Sequence, residues 1–96
     1  MMAEVEMVAV IAYDVSRPAT RRRVSAVLEE GMARVQKSVF EARMTQRQAR
    51  RVFRRVEALL EEGDSARLYM ITAAGLEKCR QSGGPPFPEE GPFWLL

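Results

Sequence analysis

Asp14 is the residue of this chain whose type and position best suit metal or phosphate chemistry. It directly follows an apolar run, and it is the only acidic residue between Glu6 and Glu29. A carboxylate at the end of a buried strand can hold a hard cation through oxygen ligands and water. Such a cation can polarise a phosphodiester or activate a water molecule. A second interpretation fits the spacing equally well, namely that Asp14 caps the helix that follows.

One carboxylate is too few for a magnesium site, but a symmetric pair of chains changes this. A two-fold axis would present Asp14 from both copies at one place. Two facing carboxylates repel each other, so either a cation lies between them or one of them takes up a proton. Any activity there would therefore depend on pH. The chain has no histidine, which removes the usual acid–base pair for metal-independent RNA cleavage.

Basic residues are concentrated in the middle of the chain. Residues 17–55 hold twelve of the fifteen basic residues and three of the thirteen acidic ones, although the net charge is only +2. Most of the twelve are arginines, whose planar guanidinium groups suit bidentate contacts with phosphate. Four of them can neutralise phosphate or transition-state charge, or can simply be solvated: Arg21, Arg22, Arg23 and Arg34. The clustering favours nucleic-acid binding over a merely solvated surface.

The pattern of apolar and polar residues predicts six elements that position these side chains. In chain order they are a strand at 5–13, a helix at 18–30, two strands within 34–44, a helix that the capping box Thr45-x-x-Gln48 opens and residues 61–64 close, and a strand at 66–72. This β-α-β-β-α-β order is the ferredoxin-like arrangement, an α+β fold with two helices on one face of an antiparallel sheet. The other face needs a cover, and a second copy of the domain is the natural one.

The second predicted helix has an apolar side and a basic side. The apolar side carries Ala49, Val52, Phe53, Val56 and Leu60. The basic side carries Arg47, Arg50, Arg51, Arg54 and Arg55. Aromatic residues do not alternate with these arginines, so salt-sensitive backbone contacts with a duplex are favoured over reading of the base sequence. Tyr13 and Phe40 can stack near a base, although aromatic residues in strands more often belong to the core.

Length and composition predict one domain at 1–80 and a tail at 81–96. Residues 82–92 are rich in glycine and proline, and the tail ends in the apolar peptide 93–96, which can dock on a partner, fold back on the domain or stay disordered. The lone Cys79 cannot form an internal disulfide. Glu4 and Glu6 lie where a secretory signal would be basic, and no segment is long enough to span a bilayer. We therefore expect a cytoplasmic protein without membrane contact.

Three short segments resemble the CRISPR-associated protein two family, the small partner of the CRISPR integrase. They are YDVS at 13–16, RRRV at 21–24 and RVQKSVFE at 34–41, and the RLY strand at 67–69 is similar to the last core strand of that family. The resemblance extends over residues 5–72 in the expected order. Its most specific part is the RVQKSVFE run at this distance behind the Tyr-Asp pair. The tail departs from the family, because many members end soon after their last strand.

The resemblance implies a ferredoxin-like fold, a symmetric homodimer and a role in spacer acquisition. In the family, the dimer bridges two integrase dimers and supports the incoming DNA duplex, for which nuclease activity is not generally required. The aspartate that matches Asp14 binds a divalent cation, usually magnesium, at the dimer interface.

The resemblance also implies a possible enzymatic activity. Several family members are described as metal-dependent endonucleases of RNA or double-stranded DNA. The residues associated with that activity correspond here to Tyr13, Asp14, Arg21, Arg23, Arg34 and Phe40. A stand-alone, toxin-like protein that cleaves RNA is an alternative on the same fold.

Overall fold

The computed structural model describes residues 5–89, in which four strands and three helices form. They are β1 (Glu6–Asp14), α1 (Pro18–Glu29), β2 (Ala33–Gln36), β3 (Val39–Thr45), α2 (Gln46–Glu57), β4 (Ser65–Ile71) and α3 (Ala73–Glu77). The strands form one sheet in the order β2-β3-β1-β4, and every neighbouring pair is antiparallel. The first six elements follow the predicted β-α-β-β-α-β order, so the predicted α+β fold is confirmed.

The hydrophobic core lies between one face of the sheet and the helices α1 and α2. Alternation along β1 and β3 brings every second residue to this face, and these are buried: Ala9, Ile11, Tyr13, Phe40, Ala42 and Met44. On α1, Val24 and Leu28 are fully buried, as the apolar stripe predicts. Ala49 and Val56 cover the sheet from α2. Each large side chain buried in this way stabilises the fold by about 1.5–3 kcal/mol.

The start of α2 is as predicted, whereas its end is not. The hydroxyl of Thr45 accepts a hydrogen bond from the backbone N–H of Gln48 at 3.2 Å, and the amide oxygen of Gln48 accepts one from the N–H of Thr45 at 2.9 Å. This is the predicted capping box.

The prediction that residues 61–64 close α2 is wrong, because the helix already ends at Glu57. Beyond it, the N–H groups of Leu59 and Leu60 bond carbonyls three residues back, which tightens the chain into turns. The carboxylate of Asp64 accepts from the N–H of Glu61 at 2.9 Å. Gly63 then adopts a φ of 88°, which other residues rarely reach.

The second face of the sheet is partly covered by elements that follow β4. The short helix α3, which the sequence pattern did not predict, packs against β1 and β4, and Thr72 caps it by accepting from the N–H of Gly75 at 3.1 Å. The segment 80–88 lies against β2 and β3, where Arg43 Nε donates to the carbonyl oxygen of Pro88 at 3.1 Å.

The first part of the predicted tail therefore folds back onto the domain. The boundary placed at residue 80 stays a prediction, and the apolar peptide 93–96 lies outside the described residues. Within residues 5–89, no helix is both long enough and apolar enough to cross a membrane.

Candidate functional site

A cleft of about 600 Å³ opens at the carboxyl end of β1. Three segments meet there: the end of β1, the first turns of α1, and the turn between β2 and β3. The N–H of Tyr13 donates to the carbonyl oxygen of Ser38 at 3.0 Å, which fixes the β2–β3 turn beside the strand end. The cleft has five charged lining residues: Asp14, Arg21, Arg22, Arg34 and Lys37. Four cations surround one carboxylate, so the cleft attracts anions.

The structure brings together four of the six residues that the family resemblance assigns to catalysis. Tyr13, Asp14, Arg21 and Arg34 all line the cleft. Arg23 is exposed on α1 but is not among the lining residues. Phe40 lies beneath the cleft in the core, with no exposed surface.

Asp14 is exposed and available in the cleft. The N-cap of α1 is Arg17, and no side chain caps that helix, so the interpretation of Asp14 as a helix cap is wrong. The physical reason is that Asp14 still belongs to β1, too far before the first helical residue, Pro18. Within residues 5–89, the Asp14 side chain makes no hydrogen bond or ion pair.

A magnesium ion would find one protein ligand here. Among the described residues, no three acidic, cysteine or histidine side chains come together to hold a metal. Magnesium commonly keeps several waters and takes one or two carboxylates together with substrate phosphates. Asp14 fits such a partial site, in which a phosphate and a second protomer would supply the remaining oxygen ligands.

Arg21 fastens the segment that joins β1 to α1. Its Nη1 atom donates to the carbonyl oxygen of Val15 at 3.1 Å and to that of Ser16 at 2.7 Å. From the other side, the N–H of Ser16 donates to an Asp64 carboxylate oxygen at 3.3 Å. The guanidinium group thus satisfies two backbone acceptors of the β1–α1 loop, which belong to neither a strand nor a helix.

Arg34 fastens the opposite wall of the cleft. Its Nη1 atom donates to the carbonyl oxygen of Lys37 at 2.5 Å. Its guanidinium carbon lies 4.7 Å from the centre of the Phe40 ring, a cation–π contact. The ring of Phe40 stacks in turn on that of Tyr13, with centroids 6.3 Å apart. Both aromatic residues are buried in the core, so neither ring face is open to a base.

The arginines predicted on α2 form a second basic region. We call it the α2 surface, and it consists of Arg47, Arg50, Arg51, Arg54 and Arg55, all of which are exposed. Arg55 is engaged in a bidentate ion pair with Glu30, at 2.8 and 2.9 Å. This hydrogen-bonded contact lowers the pKa of Glu30 and raises the pKa of Arg55. Arg51 and Arg55 also flank a notch of about 200 Å³ between α1 and α2.

Sequence reasoning missed three polar residues of the cleft: Ser25, Lys37 and Ser38. Lys37 and Ser38 form the turn between β2 and β3. A signal was present, because an antiparallel β1–β3 pairing places that turn next to the carboxyl end of β1. Ser25 lies on the first two turns of α1 and carried no signal of its own.

Comparisons with known proteins identify the family. A family model described as "CRISPR associated protein Cas2" matches residues 7–79. A Thermus thermophilus structure described as hypothetical protein TT1823 is 29% identical, with a TM-score of 0.72, over 88% of this chain and 100% of that one. Streptococcus pyogenes Cas2 at pH 6.5 is 28% identical, with a TM-score of 0.66, over 80% of this chain and 100% of that one.

A third similar structure comes from an assembly. A chain of a partial Cas6–RT–Cas1–Cas2 complex is 27% identical, with a TM-score of 0.65, over 83% of this chain and 88% of that one. Among curated proteins no sequence matches. The family match spans about three quarters of the sequence and includes β1, the cleft and the α2 surface. The chain therefore belongs to the CRISPR-associated Cas2 family.

Proposed function

We propose that this protein is a subunit of CRISPR adaptation that dimerises, binds duplex DNA and bridges integrase dimers during spacer acquisition. Membership of the Cas2 family supports the adaptation role. The similarity to a chain of a complex described with Cas1 supports an integrase partner. The single observation that carries duplex binding is the α2 surface, whose arginines lie exposed along one helix.

The α2 surface suits the sugar-phosphate backbone of a duplex. Its arginines occupy a helix that buries Ala49 and Val56 on its other side, so a rigid element presents them. Arg50 and Arg54 lie four residues apart and are therefore neighbours on the helix surface. Backbone contacts of this kind release counterions, so affinity should fall steeply as salt rises.

The second face of the sheet supports a dimer through the sheets. Alternation places Val10, Ala12 and Tyr69 on this face, and Tyr69 is 49% exposed. The segment 80–88 covers the β2–β3 side and α3 packs against β1 and β4, which leaves the part of the face around these three residues for a second copy. Asp14 shares this face with Ala12, so a two-fold axis near the strand end would bring two Asp14 carboxylates together.

Charge reversal tests the proposed duplex contact. The variant R50E/R54E should bind a labelled 30-base-pair duplex at least tenfold more weakly and with a shallower salt dependence. The control is K78E, which reverses an exposed charge at the end of α3. If R50E/R54E binds the duplex as well as the wild type, α2 is not the duplex-binding surface. If K78E weakens binding equally, the effect is one of net charge.

A charge placed on the second face tests the proposed dimer. In sedimentation, the wild type should have twice the mass of the chain, whereas Y69E should shift toward a single chain because it buries a carboxylate in the interface. E62Q, an exposed change in the α2–β4 loop, should leave the mass unchanged. A wild type that sediments as a lone chain would refute the sheet-to-sheet dimer.

A magnesium-dependent endonuclease is the second candidate function. The supporting observation is the unpaired Asp14 carboxylate beside the cations of the cleft. D14N should abolish any magnesium-dependent cleavage of single-stranded RNA or duplex DNA while the solution mass stays the same. Residual cleavage in purified D14N would assign the activity to another site or to a contaminant. Spacer integration by D14A together with the integrase should equal that of the wild type if the role is scaffolding.

A further inference from the structure

We propose that Arg22 and Lys37 are the phosphate-binding pair of the cleft, and that Arg21 and Arg34 position them. The ligand is the phosphodiester backbone of a single nucleic-acid strand. This inference rests on the proposed function only in that the protein binds nucleic acid. It differs from the family-based assignment, in which Arg21 and Arg34 act on the substrate and neither Arg22 nor Lys37 has a role at the cleft.

The hydrogen bonds of the four cations separate them into two classes. Arg21 and Arg34 are engaged with backbone carbonyl oxygens at 2.5–3.1 Å. Within residues 5–89, the side chains of Arg22 and Lys37 make no hydrogen bond or ion pair, and both residues are exposed. A phosphate can therefore take the donors of Arg22 and Lys37 without breaking any contact that holds the fold.

Each wall of the cleft pairs one positioning arginine with one available cation. On the α1 wall, Arg21 holds the carbonyls of Val15 and Ser16 and so fixes the start of the helix that carries Arg22. On the β2–β3 wall, Arg34 holds the carbonyl of Lys37 itself.

Both walls are anchored in the core. The Arg34 guanidinium lies on the Phe40 ring, which is fully buried. The β2–β3 turn is tied to β1 by the bond from the Tyr13 N–H to the Ser38 carbonyl. A cation on a wall that is already ordered loses less entropy when it binds a ligand than one on a mobile loop.

The size and charge of the cleft define the ligand class. Its volume of about 600 Å³ is that of a small-molecule site, about 300–1,000 Å³, which suits one nucleotide unit of a strand and is too small for a duplex. Arg22 and Lys37 both line the cleft, and their cationic groups suit the anionic oxygens of a phosphodiester. The buried Tyr13 and Phe40 rings offer no stacking platform, so binding should not depend on the base.

A short strand tests the phosphate-binding pair. The probe is fluorescein-labelled tetrathymidylate, measured by anisotropy with the full chain at several salt concentrations. R22A and K37A should each bind it about three- to tenfold more weakly, the loss expected for one hydrogen bond made by a solvent-exposed side chain. Each should lower the slope of log K against log salt by about 0.7, the value for one single-strand phosphate contact.

Matched variants exclude a general charge effect. R23A removes the same charge from the next residue of α1, outside the cleft, and should cost less affinity than R22A. K78A removes a lysine from an exposed position that does not line the cleft and should not change binding. Losses equal to those of R22A and K37A in these two variants would overturn the inference. Equal binding of tetrathymidylate and tetraadenylate is expected, and a strong base preference would contradict a backbone-binding cleft.

A double-mutant cycle tests the positioning role of Arg34. If Arg34 acts by holding the Lys37 carbonyl, K37A should cost less affinity in the R34A background than in the wild type. R34K keeps a charge but loses the planar contact with Phe40. K37A should therefore cost less affinity in the R34K background than in the wild type, as it does in the R34A background. Additive losses in the cycle would make Arg34 a direct ligand and refute its positioning role.

The outcomes also separate this inference from the proposed function. R50E/R54E should retain most of its tetrathymidylate binding while losing duplex affinity. If the duplex is not bound by any variant or by the wild type, but tetrathymidylate binding still depends on Arg22 and Lys37, the duplex-bridging role fails and the cleft assignment stands. If the duplex is bound normally and R22A/K37A binds tetrathymidylate as the wild type does, only the cleft assignment fails.

Discussion

The cleft and the α2 surface are both rich in arginine, yet they hold their cations in different ways. In the cleft, Arg21 and Arg34 bond backbone carbonyls, and Arg34 also lies on the buried ring of Phe40. On the α2 surface, the arginines are exposed on a regular helix, and Arg55 pairs with another side chain, Glu30. Removing Arg21 or Arg34 therefore removes a structural contact, whereas removing Arg50 removes little besides charge.

This difference shows why a count of basic residues does not identify a binding site. A guanidinium group whose donors are satisfied by the protein must break those bonds to bind a ligand. A guanidinium group in solvent exchanges only water. By residue type alone, Arg21 and Arg34 are equivalent to Arg22 and Arg50. Only the hydrogen-bond partners in the structure distinguish the first pair from the second.

The largest expected effect concerns the core support of the cleft. Phe40 is fully buried beneath Arg34 and Tyr13, so F40A should lower the free energy of unfolding by about 3–5 kcal/mol. The matched change on the helix is F53A, a ring that is only partly buried, and it should cost clearly less. Urea denaturation measures both. Equal losses would show that the cleft has no special support from the core.

The next effect compares one arginine from each region. R34A should lower the free energy of unfolding by about 1–2 kcal/mol, because it removes a cation–π contact and a charged hydrogen bond at a partly solvated site. R50A should stay within about 0.5 kcal/mol of the wild type, as exposed substitutions usually do. Thermal and urea unfolding measure the difference. If R50A were as damaging as R34A, the contrast between the two regions would be refuted.

Much of the fold was accessible from the sequence because local signals and the global pattern agree. The capping box at Thr45 and the apolar stripe of α1 each specify one element, and the continuous apolar run at 7–13 indicates a buried strand. The end of α2 was not accessible. Leu60 continues the apolar pattern beyond Glu57, while the turn depends on a side-chain bond from Asp64 and on the backbone of Gly63.

The candidate site was accessible only in part. Asp14 and the arginines near it were identified by residue type and by resemblance to the family. Lys37 was missed as a cleft residue, because its position depends on a strand pairing and on a bond from Arg34 to its carbonyl. That Arg21 bonds its own chain is likewise a property of the folded loop, which no spacing rule states.

A smaller effect concerns how the α2 surface is supported. T45A removes the hydroxyl that accepts from the Gln48 N–H, and it should lower the free energy of unfolding by about 1 kcal/mol, the usual effect of losing such a cap. T45S keeps the hydroxyl and should be close to the wild type. Chemical denaturation compares the three proteins. If T45S were as unstable as T45A, the lost methyl group and not the cap would account for the change.

The smallest expected effects come from two glutamates whose pKa values shift in opposite directions. The bond with Arg55 lowers the pKa of Glu30. The pair therefore stabilises the fold above pH 4.5, and this contribution is lost as pH falls through the lowered pKa of Glu30. Burial on β3 raises the pKa of Glu41. The fold is therefore destabilised as pH rises from 4.5 through the raised pKa of Glu41, because the partly buried carboxyl group becomes charged.

Glutamine substitutions measure both contributions through thermal unfolding at pH 3 and pH 7. At pH 7, E41Q should raise the melting temperature. The gain should correspond to less than about 1 kcal/mol in the free energy of unfolding, since solvent screens a partly exposed group. E30Q should lower the melting temperature at pH 7. At pH 3, the change in melting temperature should shrink for both variants, because the wild-type carboxyls approach the neutral form. A gain for E30Q at pH 7 would mean that the Arg55 pair on the α2 surface does not stabilise the fold, and that Arg55 is as available to a duplex as Arg50 and Arg54.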